Sequence, residues 1–66
     1  MMPDLSRSQI LELIDEWILN ERNRAILKRR LIDGVTYERL AEEFDLSVRQ
    51  IKAIVYKSED RIFSKI

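Results

Sequence analysis

Two helix-start signals stand eleven residues apart, at Thr36 and Ser47, and their spacing leaves this chain little choice of fold. Thr36 suits the N-cap of one helix, with Val35 before it placed to meet Leu40 in a hydrophobic staple. Ser47 and Gln50 make the S-x-x-Q pattern of a capping box, in which each side chain bonds the other residue's amide, and Leu46 can staple to Ile51. The earlier helix is expected to end at Phe44, so only Asp45, Leu46 and Ser47 join the two. Three residues suffice for a tight turn and nothing else, and such a turn sets two short helices at a steep angle. The predicted local structure is a helix-turn-helix.

The pattern inside the pair agrees. Read from Tyr37, the string YERLAEEFDLSVRQIKAIVY places Leu40, Ala41, Phe44, Leu46, Ile51 and Ile54 where such units are apolar or small. Ala41 falls where the helices cross most closely and a larger side chain would push them apart. The other five fill the wedge between the pair and its supporting helices.

With 66 residues, the chain has room for one small domain, which buries only about 60% of its unfolded surface. One Gly (Gly34) and one Pro (Pro3) leave almost no strong punctuation, so residues 1–66 read as a single all-α domain, a bundle of four to five helices. A first helix within residues 4–19 starts near Asp4 or Ser6, either of which can cap it. Its apolar residues Ile10, Leu11, Leu13, Ile14, Trp17 and Ile18 fall within roughly 160° of arc, opposite Glu12, Asp15 and Glu16. This amphipathic stripe suits either a core or a partner. Residues 20–66 hold the rest, beginning with a helix capped by Asn20 and stopped at Asp33 and Gly34, where a left-handed residue fits.

Charge and composition exclude several functions. There are no His and no Cys, which removes disulfides, thiolate chemistry and the usual zinc ligands. No metal or cofactor is expected. The paired acids Asp15–Glu16 and Glu42–Glu43 are adjacent and point about 100° apart, and Glu12–Glu16 and Glu38–Glu42 belong to solvated faces, so no catalytic residues are expected and the chain reads as no enzyme. No apolar run is long enough to span a membrane, and no signal peptide is visible, so a cytoplasmic location is the expectation. The twelve bases and twelve acids cancel, but unevenly: residues 1–20 hold one base and four acids, leaving eleven bases and eight acids for residues 21–66. The densest basic stretch, Arg22 to Arg30, reads equally as a solvated helix face and as a phosphate surface.

From Leu19 to Ile62 the chain resembles the fourth conserved region of bacterial sigma factors, the helical domain that reads the −35 promoter element. The runs LNERNRAIL and DGVTYERLAEEFDLSVRQIKAIVYKSEDRI carry the likeness, at Leu19, Arg22, Arg24, Gly34, Thr36, Tyr37, Leu40, Ala41, Ser47, Val48, Ile51 and Lys52. It departs from the family's pattern at Arg39, where Glu often completes a second capping box, and at Asp45, where the turn often has Gly. Ile54 replaces a frequent basic residue, and Glu59 and Asp60 interrupt a commonly basic tail. The segment that melts the −10 element in a full sigma factor has no counterpart here. The resemblance therefore implies a small stand-alone regulator of transcription, of the kind often found in phages and mobile elements of bacteria.

If the motif acts as such units do, the last helix enters the major groove of double-stranded DNA and the helix before it crosses the backbone. With Ile51, Ile54, Val55 and Ile62 claimed by the core, the outer face keeps Val48, Arg49, Gln50, Lys52, Ala53, Tyr56 and Lys57. Arg49 is the first choice for a base contact, since a guanidinium pairs bidentately with guanine; Gln50 can pair with adenine where its cap role leaves it free. Lys52, Tyr56 and Lys57 are better phosphate partners. Thr36, Tyr37 and Arg39, together with the Ser47 turn, offer further backbone contacts. So few phosphate contacts imply weak binding by a lone monomer, so RNA polymerase or a homodimer through the first helix and Phe63 and Ile66 is expected to help. The competing reading is a protein-interaction module that binds RNA polymerase, a sigma factor or another regulator without touching DNA.

Overall fold

The computed structural model describes residues 6–64, and within them the chain forms four helices and no strand. They are α1 (Arg7–Trp17), α2 (Glu21–Leu31), α3 (Tyr37–Phe44) and α4 (Val48–Phe63). Each begins at a residue whose side chain accepts a bond from an otherwise unpaired amide: Ser6 from Gln9, Asn20 from Asn23, Thr36 from Arg39 and Ser47 from Gln50. Ser6 with Gln9 forms a second capping box, which decides between the two possible starts of α1. Asp4, the other candidate, lies outside the described residues.

The helix ends differ in kind. After α2, Gly34 takes a left-handed φ of +69° and the Val35 amide bonds back to the carbonyl of Arg29 at 3.1 Å. After α3, Asp45 is left-handed at φ 54°, and the Leu46 amide reaches the Ala41 carbonyl at 3.0 Å in a Schellman-type closure. The turn to α4 is thus Asp45, Leu46 and Ser47, the expected three residues.

One apolar centre organises all four helices. Ile14, Ile26, Leu27, Leu40, Ile51, Val55 and Ile62 are completely buried, with Ile18 nearly so. Ile10, Leu13, Trp17, Leu31, Val35, Ala41, Phe44, Leu46, Ile54 and Phe63 pack around them. Ile10, Leu13, Ile14, Trp17 and Ile18 of the α1 stripe, with Phe63, thus pack into the monomer's own core, the first of the two uses open to that stripe. Ile66 lies outside the described residues. Helix α4 spans roughly 24 Å at 1.5 Å per residue. It touches each of the other three helices.

The C-terminus of α1 has no base in its own last turn, and its neighbours supply the donors. Arg24 of α2 donates to the carbonyls of Ile18 and, at 3.1 Å, Asp15. Arg61 of α4 donates to the Trp17 carbonyl at 3.1 Å. Lys28 adds an ion pair with Asp15 at 2.9 Å.

Candidate nucleic-acid interface

The outer face of α4 follows from its helical period. Ile51, Val55, Ser58 and Ile62 recur on one side and are buried, so the Ser47 cap fixes Arg49, Ala53, Tyr56 and Lys57 on the side turned to solvent. All four are exposed, Tyr56 to 56%. Val48 is half-buried at the base of the first turn. Ser58, which the apolar pattern did not anticipate, occupies a core-facing position one turn beyond Val55.

The side chains of the capping residues are already engaged. The Gln50 amide donates to Ser47 Oγ at 3.1 Å, and Gln50 Oε1 accepts from the Ser47 amide at 2.9 Å. Thr36 Oγ1 accepts from the Arg39 amide at 3.2 Å. Arg39 itself is exposed, with Nε 3.7 Å from Glu43 Oε1.

Tyr37, Lys52 and Tyr56 are brought together, and a fourth residue joins them that sequence reading placed only within the basic stretch. The Arg30 guanidinium lies 4.2 Å from the centroid of the Tyr37 ring while Arg30 Nη1 donates to the Val35 carbonyl at 3.0 Å. Lys52 Nζ is 5.7 Å from the same ring, and the Tyr56 ring meets it edge-on at 6.2 Å. Burial raises the Tyr37 phenol above its ordinary pKa, as does its bond with Tyr56, against a smaller opposing pull from Arg30. Tyr37 is therefore a half-buried bracket between α2 and α4 rather than an open donor.

The bases sort into two groups. In the Arg22 to Arg30 stretch, Arg24 and Lys28 hold α1, Arg30 holds Tyr37, and Arg29 bonds both Asp33 and the Glu43 carboxylate of α3. Arg22 contacts Asn23. Four of the five bases in this stretch are therefore engaged with other parts of the fold, and Arg22 is exposed. Arg49 and Lys57, by contrast, make no hydrogen bond or ion pair among the described residues, and Lys52 has only its ring contact. Besides Arg7 on α1, the cations without a hydrogen bond or ion pair among the described residues lie on α4. Glu12, Glu16, Glu38 and Glu42 are all exposed, as solvated faces should be.

A tight-turned helix pair with a cationic outer helix is the arrangement expected of a nucleic-acid reader, and comparison with known families agrees. The model of the family described as Sigma-70, region 4 matches residues 18–62 of the 66. The chain belongs to this family. The match takes in Ile18, the whole of α2, α3 and their turns, and α4 up to Ile62. It bears out the resemblance drawn from Leu19 to Ile62 and the all-helical fold built on a helix-turn-helix. Sigma-70 region 4 is a DNA-binding helix-turn-helix family and not an enzymatic one. Comparisons with curated proteins and with solved structures found no match. Among the described residues, no helix is long and apolar enough to cross a membrane.

Proposed function

We propose that this sigma region 4 protein regulates transcription by placing α4 in the major groove of promoter DNA. The observation that carries the reading is the sorting of cations: four of α2's five bases, Arg24, Lys28, Arg29 and Arg30, are engaged by the fold, whereas Arg49 and Lys57 stand unpaired on one face of α4 with Lys52 beside them. Arg49, in the first turn, is the base reader, suited to the paired acceptors of guanine. Lys52, Tyr56 and Lys57 take phosphates on either side. The start of α3, at Thr36 and Tyr37, lies against the backbone.

Three to five phosphate contacts give a slope of log affinity against log salt of about −3 to −4. A second subunit or RNA polymerase then raises occupancy at a promoter through local concentration. A mobility-shift titration with promoter fragments at low salt tests the reading. A shift that weakens with that slope supports it, and no shift at protein concentrations on the order of tens of micromolar would sink it. In the latter case the fold serves as a docking module for the transcription machinery, a reading favoured by the acids Glu59 and Asp60 beyond Lys57 on α4.

A further inference from the structure

Arg30 and Lys52 share one aromatic ring, and no carboxylate neutralises either. The half-buried Arg30 guanidinium lies 4.2 Å from the centroid of Tyr37, and the exposed Lys52 ammonium lies 5.7 Å from the same centroid. Neither makes an ion pair among the described residues. Glu59 is near enough to feel the charge of Arg30 without pairing with it. Arg30 is also anchored, since its Nη1 donates to the Val35 carbonyl in the turn before α3.

These contacts run from a fixed cation to a free one. A lysine ammonium ends a long flexible stem and gives up much rotamer freedom when a ligand orders it. A ring beneath the ammonium removes part of that freedom before the ligand arrives. Lys57, on the same helix, has no such ring among the described residues. We infer that Arg30 is a positioning residue for the phosphate contact of Lys52, acting through Tyr37: the guanidinium steadies the ring, and the ring seats the ammonium beside the start of α3. Resting on the DNA-binding reading above, this role adds a residue of α2 that itself meets no phosphate. One exposed cation–ring contact raises the seated share of Lys52 by about two- to fivefold, and the apparent affinity in proportion.

Mobility-shift titrations on one promoter fragment test it, with the unaltered protein, Arg30→Met, Lys52→Ala and the double variant. Lys52→Ala should weaken binding by about tenfold at about 0.1 M salt, and that loss should shrink by about two- to fivefold once Arg30 is Met. Lys57→Ala should cost the same with or without Arg30, which a merely structural role for Arg30 would not distinguish from Lys52. The salt slope should fall by about 1 with Lys52→Ala and stay unchanged with Arg30→Met. Tyr37→Leu should reproduce the reduced cost of Lys52→Ala, whereas Tyr37→Phe, which keeps a ring, should retain the full cost. In the unaltered protein without DNA, the ε-methylene protons of Lys52 should resonate upfield of those of Lys57 through the ring current of Tyr37. No mobility shift by the unaltered protein would overturn the DNA-binding reading and this role with it. If the unaltered protein does bind, then equal cost of Lys52→Ala in every background, a slope lowered by Arg30→Met, or coincident Lys52 and Lys57 resonances would overturn the positioning role alone.

Discussion

Ser47 and Gln50 exchange a pair of hydrogen bonds at the start of α4, each side chain accepting from the other residue's amide. Gln50's carbonyl oxygen is thereby held at the helix start, and pairing with both edges of an adenine would require sharing it. Its side chain is committed to fixing the start of α4. Ser47→Ala is expected to cost about 1 kcal/mol of stability, read as a lower urea midpoint. Gln50→Ala should cost less, and should weaken binding to all DNA sequences alike; a change in base preference at one position would return Gln50 to the role of a reader.

Arg49 and Lys57 lie two turns apart on the same outer face with different expected duties. Arg49→Ala should lower affinity for a cognate site by about 1 to 3 kcal/mol and relax preference at a single base pair. Lys57→Ala should weaken all sequences similarly and reduce the salt slope by about 1. Titrations on selected and random duplexes separate the two, and equal losses from both variants on both duplexes would refute the assignment.

The Glu43 carboxylate ties α3 to α2. Arg29 donates Nε to Oε2 at 3.1 Å and a second bond through Nη2 to Oε1, a forked pairing that holds the Glu43 pKa below its ordinary value. A carboxyl depressed on folding contributes stability above its unfolded value, and the contribution is lost as pH falls through the folded one. The urea midpoint should therefore drop between about pH 5 and about pH 3, by less in Glu43→Gln than in the wild type. Both partners are solvent-facing, so the difference is expected to be small. Glu59 has the opposite sign, since burial raises its pKa, so only the comparison with the variant isolates Glu43. Parallel pH profiles would remove this pair from the account of stability.

The two left-handed residues respond oppositely to substitution. A Cβ at Gly34 would meet nothing within 4 Å, so the cost of Gly34→Ala is the backbone conformation alone, about 1 kcal/mol. At Asp45 that cost is already present, and Asp45→Gly should raise stability by a few tenths of a kcal/mol up to about 1. Thermal unfolding of both variants checks the pair. Destabilisation by Asp45→Gly would mean that the Asp side chain contributes more to the turn than its backbone strain costs.

Most of the fold was legible because its signals are local. Asn20, Thr36 and Ser47 each need only a partner three residues away, and the apolar period of α4 fixes its outer face from spacing alone. The same rule would have found the box at Ser6 and Gln9, whose S-x-x-Q pattern is plain in the sequence. What spacing could not convey was the use of the bases, since their partners are distant along the chain. Arg29 meets Glu43 fourteen residues on, and Arg61 reaches Trp17 across forty-four. The half-burial of Tyr37 was not legible for the same reason: it depends on Arg30 and Tyr56, one on each flanking helix.

The arginines that close the end of α1 come from α2 and α4, and this makes the first helix a tenant of the other two. An isolated α1 peptide has only eleven helical residues and no closing donors of its own, so it should be a coil in water. Within the protein, losing α1 would strand two guanidiniums and uncover the faces of α2 and α4 that pack against it, so partial unfolding has no inexpensive form. Amide hydrogen exchange in the middle turns of α1 and α4 should then proceed at a common rate, that of the whole molecule opening at once.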